Sequence, residues 1–353
     1  MPFFPNQFFW KDIFARSTLL RGWDRCFSLA CEWTYDRDKA LGIEVCCAVF
    51  LPREVGAMGK ERTLLLGNGL NRTLKDGFSW AEMMGRLGSK HSDEESVPFP
   101  IQFEEIAASR GCMIGRRGSD PYMELREEIS RMIGNFEPKP GKAHLAFSNI
   151  KVNNVITTNY DSVFEAVYGA ERVKGNPGSS RNVLDPIYGA DGISFYHAHG
   201  LASWKNTLCL GHEHYASLIS KIRKEFFSEG DDDKFRENLT SLAKGERKPK
   251  GIWPELLFTS DVAIVGLGLD YCEIDLWWLL SMRAALFSPN RKMSEYENRI
   301  VYYQVDLEKN KSLYDQEKSA VLESLGVEVV AISGDGYVSA YENMAKCIDK
   351  RWS

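Results

Sequence analysis

None of the eight cysteines stands in a Cys-x-x-Cys pair. Cys26, Cys31, Cys46, Cys47, Cys112, Cys209, Cys272 and Cys347 are scattered along 353 residues. That scatter resembles neither a zinc-ligand set nor a secreted disulfide framework, so reduced thiols are expected. No apolar run reaches the roughly 20 residues a membrane-spanning helix needs. The start, Met1-Pro-Phe-Phe-Pro-Asn6, lacks the charged and apolar regions of a signal peptide, and a cytoplasmic location is expected. Net charge is −5 and no basic block is long enough to follow a nucleic-acid backbone, which argues against DNA or RNA as partner. Internal repeats and low-complexity segments are absent.

What is present is ordinary globular composition, 44% hydrophobic and 26% charged, enough for a sizeable core. Residues 1–57 have no sustained period of 2 or 3.6. They read either as an extension packing on the domain or a partner, or as sequence upstream of a natural start at Met58. The remaining chain, 58–353, reads as one nucleotide-binding domain. Its most informative stretch is Arg62–Arg72, where three leucines run into Gly67-Asn68-Gly69 and a polar cluster, Asn71-Arg72-Thr73. A short apolar run bounded by glycines predicts a buried strand ending in a tight turn. Glycines there let the backbone approach a ligand, and a helix beginning near Leu70 would aim its N–H groups at a phosphate. Arg72 occupies the place of the third glycine of a GxGxxG, so the turn alone is a weak signal.

Strand and helix patterns then alternate. Helical spacing is predicted over 79–88, 102–110 and 121–135, with Met123, Leu125, Ile129, Met132 and Ile133 as core contacts, and a short helix near Ala143–Phe147. Strands are predicted at Asn154–Thr158, Ile193–Tyr196, Thr207–Leu210, Asp261–Val265, Arg299–Val305 and Val327–Ile332. Helices are predicted over Ser162–Tyr168, Ile274–Leu286, 309–324 and Val338–Trp352. Residues 216–250 read as a polar, solvated helical insert carrying Asp231-Asp232-Asp233 and a basic tail; 79–148 reads as a second insert. The alternation predicts an α/β fold with a Rossmann-like parallel sheet and helices on both faces. Ligands of such sheets bind beyond the carboxyl ends of the strands. Gly67-Asn68-Gly69, Asn159-Tyr160-Asp161, His199-Gly200 and Gly266-Leu267-Gly268 all fall there.

In this order the motifs resemble the sirtuin superfamily, more narrowly the sirtuin-like NAD-cleaving domains of bacterial antiphage defence. Leu65–Arg72 corresponds to the Gly-Ala-Gly phosphate turn and Thr157-Thr158-Asn159-Tyr160-Asp161 to Thr-Gln-Asn-Ile-Asp. His199-Gly200 corresponds to the His-Gly pair and Gly266-Leu267-Gly268-Leu269 to Gly-Thr-Ser-Leu. The resemblance covers about 60–335. The two Cys-x-x-Cys pairs of the deacylating sirtuins are missing, so no zinc is expected, and Gly268 replaces a serine.

The resemblance implies NAD+ as substrate. Asn159 would position a water and the ribose hydroxyls, Asp161 would hold the nicotinamide carboxamide, and His199 would act as general base. Gly67, Asn68 and Gly69 would carry the pyrophosphate through backbone donors, with Asn71, Arg72 and Thr158 beside them. Gly266, Gly268 and Leu269 would border the adenosine end. It further implies NAD+ hydrolysis as a defence effector; because constant turnover would harm the host, control by homo-oligomerisation, a regulatory protein partner or a phage signal is expected. Other readings stay open. They are a non-catalytic sensor of NAD or ADP-ribose, an NAD-dependent deacylase or ADP-ribosyltransferase, and a metal-dependent hydrolase using His197-x-His199 and His212-x-His214. Taken singly, Asn159 and Asp161 could be helix caps and His199 a satisfied core histidine.

Overall fold

The computed structural model describes residues 60–353 apart from 76, 78, 92–96, 113–121, 135–138, 174–182, 227–231 and 308–312. The extension 1–57, the alternative start at Met58, most of the Gly/Asn/Ser loop and part of the acidic knot lie outside the described residues.

Eight strands form one sheet: β1 (Arg62–Leu66), β2 (Asn154–Thr157), β3 (Glu171–Arg172), β4 (Tyr188–Ala190), β5 (Ile193–His197), β6 (Asp261–Val265), β7 (Ile300–Asp306) and β8 (Glu328–Ser333). Their order across the sheet is β3-β4-β5-β2-β1-β6-β7-β8. From β5 to β8 all pairings are parallel. The two antiparallel pairings, β3 with β4 and β4 with β5, lie at one edge, so β4 alone runs against the other strands. The chain moves outward from β1 through β2 to β5, then returns to β6 on the other side. The strand order therefore reverses at β1, where doubly wound sheets open their ligand crevice. Leu66 is level with both Thr157 and Val265, and Thr157 with His197. The residues that follow, Gly67, Thr158, Ala198 and Gly266, therefore leave the sheet along one front.

Every buried central strand divides its side chains between two cores, as the period of 2 demands. Leu65, Ile156, Tyr196 and Ile264 face one core. That core is closed by α6 (His212–Phe226), α7 (Asp232–Ala243), α8 (Trp253–Thr259) and α9 (Ile274–Leu286). Leu64, Leu66, Val155, Phe195 and Val265 face the other, against α4 (Lys142–Ala146), α5 (Val163–Val167) and α11 (Tyr337–Trp352). A third, smaller core joins α1 (Trp80–Leu87), α2 (Phe99–Ser109) and α3 (Met123–Gly134) to Tyr160, Leu208 and Leu210. This helical cap stands beside the carboxyl ends of the strands. The last helix of the set, α10, is Leu313–Ser324.

Three expectations need correction, and two strands were not anticipated. No α-helix begins near Leu70: a 3₁₀ turn spans Asn71–Thr73 and α1 starts only at Trp80. Thr207–Leu210 is not a strand, because Ala202–Thr207 forms a 3₁₀ segment and the chain then runs into α6. The insert 216–250 is not merely solvated. It hides Leu218, Ile222, Phe226, Phe235, Leu239 and Leu242 in the main core. The edge strands β3 and β4, two and three residues long, carry too little pattern to read in advance.

Candidate active site

Two adjoining cavities open at the front where the strand order reverses. The smaller, about 460 Å³, is bordered by Asn71, Met83, Ile133, Asn159, Tyr160 and Asp161. The larger, about 820 Å³, is bordered by Arg72, His199, Tyr215, Gly266–Asp270, Cys272 and Glu273. Asn68, Thr158, Ser79 and Trp80 line both. Trp80 is braced by Phe99, stacked at 5.5 Å, and by the edge of Tyr160 at 5.0 Å. The cap thus supplies an aromatic wall common to both cavities. Every residue that the resemblance assigned to the NAD+ site except Gly67 borders one of them.

Gly67 and Gly69 have a different task from the one expected of them. Gly67 N–H donates to the Val265 carbonyl at 3.0 Å and Gly69 N–H to the Gly266 carbonyl at 2.7 Å. Both donors are spent joining the β1 turn to the β6 turn. A Cβ on Gly67 would sit 2.4 Å from Leu267 Cα, so the glycine is needed for close approach of two backbones, and the expected pyrophosphate donation by these two groups is not available in this arrangement. Gly200 is required for a second reason: its φ is +91° and a Cβ would lie 2.2 Å from the Thr207 carbonyl oxygen. That tight turn places His199 against the larger cavity. Leu269, also a candidate, holds a left-handed backbone at φ +49° and is wholly buried, its side chain in the main core.

His199 is 1% exposed. Its Nε2 lies 3.1 Å from Oδ2 of Asp275, which is itself fully buried at the start of α9. Burial pushes the imidazole pKa down, but the Asp275 carboxylate and its hydrogen bond outweigh that and raise it above the ordinary value. With Nε2–H held by Asp275, Nδ1 is the ring nitrogen left with a lone pair for a ligand. Glu273, lining the same cavity, is pushed up to about 8 by burial, opposed by His199 and reinforced by Asp270 and Asp275. That shift favours the neutral carboxylic acid, which can donate a hydrogen bond.

Asn159 and Asp161 leave β2 into the smaller cavity. Asn159 N–H caps onto Thr157 Oγ1 at 3.0 Å and its Nδ2 reaches the Gly67 carbonyl at 3.4 Å. Asp161 accepts Val163 N–H on Oδ1 at 3.0 Å and Asn71 Nδ2–H on Oδ2 at 2.8 Å. Burial drives its pKa up, only partly offset by those donors. Asn71 borders the cavity but is 3% exposed and spends its amide on protein partners.

The two His-x-His pairs do not converge. On β5 and just beyond it, His197 meets Glu165 of α5 at 2.8 Å while His199 meets Asp275 of α9, on the other side of the sheet. His214 accepts the N–H groups of Leu210 and Gly211 on Nδ1, both at 3.1 Å. No group of three or more His, Cys, Asp or Glu is placed to hold a metal among the described residues.

Sequence reasoning missed Asp275, Glu273, Trp80 and His144. The run Asp270-Tyr-Cys-Glu273-Ile-Asp275 directly after a glycine turn was the available signal, though acidic residues opening a helix are usually read as dipole partners.

The family described as the SIR2-like domain matches residues 153–266, from the start of β2 to the end of β6. The match contains Asn159, Asp161, His199 and Gly266, and it supports a sirtuin-like relationship and, at family level, NAD+ use. No curated protein matches the chain. No helix among the described residues is long and apolar enough to cross a membrane.

Proposed function

We propose that this protein hydrolyses NAD+ to nicotinamide and ADP-ribose. The observation that carries the reading is the meeting, at one crevice, of Asn159, Asp161 and the buried His199–Asp275 pair within reach of a shared aromatic wall. Scission of the nicotinamide–ribose bond passes through an oxocarbenium-like transition state, so the site must orient the pyridinium, favour the cation and place one water. The smaller cavity, with an aromatic wall and Asp161 at its base, suits the nicotinamide. The larger, with Arg72 and the Gly266–Leu269 turn, suits the ADP-ribose. As the C–N bond breaks, nicotinamide leaves neutral and the positive charge passes to the ribose. Asn159 orients the water that adds to C1′, and His199 Nδ1 takes the proton, Asp275 stabilising the imidazolium that results. The products are nicotinamide, ADP-ribose and one proton.

On this reading residues 58–353 are the catalytic domain, and a defence role through NAD+ depletion follows from the resemblance alone. A cytoplasmic location and control by oligomerisation or a partner are part of the same proposal. The test is nicotinamide release by purified protein beside Asn159→Ala and His199→Ala. Release lost in both variants is the expected result. Unchanged release in His199→Ala would remove the base assigned here, and tight NAD+ binding without turnover would make the protein a sensor.

A further inference from the structure

A four-member hydrogen-bond chain runs from the amino end of α4 to the smaller cavity. Gly141 N–H donates to His144 Nδ1 at 3.3 Å. His144 Nε2 lies 2.9 Å from Asn71 Oδ1, Asn71 Nδ2 donates to Asp161 Oδ2 at 2.8 Å, and Val163 N–H holds the other Asp161 oxygen. His144 and Asn71 are 1% and 3% exposed. The direction of this chain is fixed at its far end. Because the backbone N–H occupies Nδ1, the imidazole proton must sit on Nε2, which makes His144 a donor to Asn71. Asn71 therefore keeps Oδ1 toward the histidine and its NH₂ toward the carboxylate. Turned over, the amide would set its oxygen against Asp161 and its NH₂ against the Nε2–H.

We infer that His144 and Asn71 are positioning residues for Asp161: His144 fixes the orientation of the Asn71 amide, and Asn71 holds Asp161 as an oriented carboxylate facing the ligand. This rests on the reading of Asp161 as the group that engages the substrate. Burial lowers the His144 pKa to about 4, so the donor tautomer persists across the neutral range. The charged groups that face Asp161 are Glu165 of α5, which favours its protonation, and His197 at the end of β5, which opposes it. Asn71 adds to the opposition as a neutral donor, so losing it leaves burial and Glu165 less opposed and shifts Asp161 further toward the neutral acid.

The experiment is the pH profile of kcat/KM for nicotinamide release by the full chain, comparing wild type with Asn71→Ala, His144→Phe and His144→Gln. The glutamine keeps an N–H donor near the position of Nε2. The expected result is a loss of at least tenfold in kcat/KM at pH 7 for Asn71→Ala and His144→Phe, with the acidic limb moved to higher pH, and recovery of most of that loss in His144→Gln. A structural contribution alone would lower the melting temperature without moving the limb. If His144→Phe fails to fold, Asn71→Ala carries the same two readouts. An active wild type whose variants keep its kcat/KM and its limb would overturn this inference while leaving the NAD+ hydrolase reading intact. A wild type that neither turns over nor binds NAD+ would overturn both.

Discussion

Replacing Asp275 by asparagine tests the base most directly, because the change is isosteric and lies within one hydrogen bond of His199. In the wild type a carboxylate oxygen sits 3.1 Å from Nε2 with both partners buried. At an effective dielectric near 20, such a charge pair is worth roughly 5 kcal/mol to the imidazolium. The substitution removes that attraction and leaves burial, which favours neutral imidazole, opposed only by the smaller effect of Glu273. An asparagine that turns its NH₂ toward Nε2 also moves the ring proton to Nδ1, the atom that must accept. General-base catalysis contributes about 10²–10⁴-fold, so kcat/KM should fall by that factor, or ~3–5.5 kcal/mol of transition-state stabilisation. The sign of the pH effect is fixed too. His199 titrates above its ordinary value in the wild type, and in Asp275→Asn it titrates lower, so the acidic limb of the residual activity moves to lower pH. Nicotinamide release from pH 5 to 9 reads both quantities. Full activity with an unmoved limb in Asp275→Asn would refute the assignment of His199 and its partner together.

Two further outcomes concern the scaffold. Gly67→Ala sets a methyl group 2.4 Å from the Leu267 Cα, so the β1 and β6 turns must part; urea unfolding should report a loss of about 1–3 kcal/mol. His214 is held neutral, its pKa lowered by burial to about 3. A group depressed in this way stabilises the fold above its unfolded pKa, near 6.5, and that contribution disappears as pH falls toward the folded value. His214→Asn keeps an acceptor for the Leu210 and Gly211 N–H groups but cannot titrate there. Its urea midpoint should therefore fall less between pH 7 and pH 4.5 than that of the wild type, and an equal fall would exclude His214 as a source of acid sensitivity.

Contiguous sequence determined the central strands and the front at which they end. Leu64–Leu66, Val155-Ile156 and Val262–Val265 are short apolar runs stopped by glycine or polar residues, and their length and those flanks mark them as parallel strands buried on both faces. The residues after those stops, Asn68, Asn159, Asp161 and His199, were legible for the same reason: a polar cluster following a buried strand stands out against it. Tertiary structure alone decided what those residues touch. Asp275 meets His199 across 76 positions of chain, and His144 meets Asn71 across 73; such pairs are made by strand order and helix placement, which leave no local periodicity. The glycines show the same division. Their presence at 67 and 69 signalled a close approach, but only the parallel pairing of β1 with β6 decided that the approaching partner is the protein's own backbone.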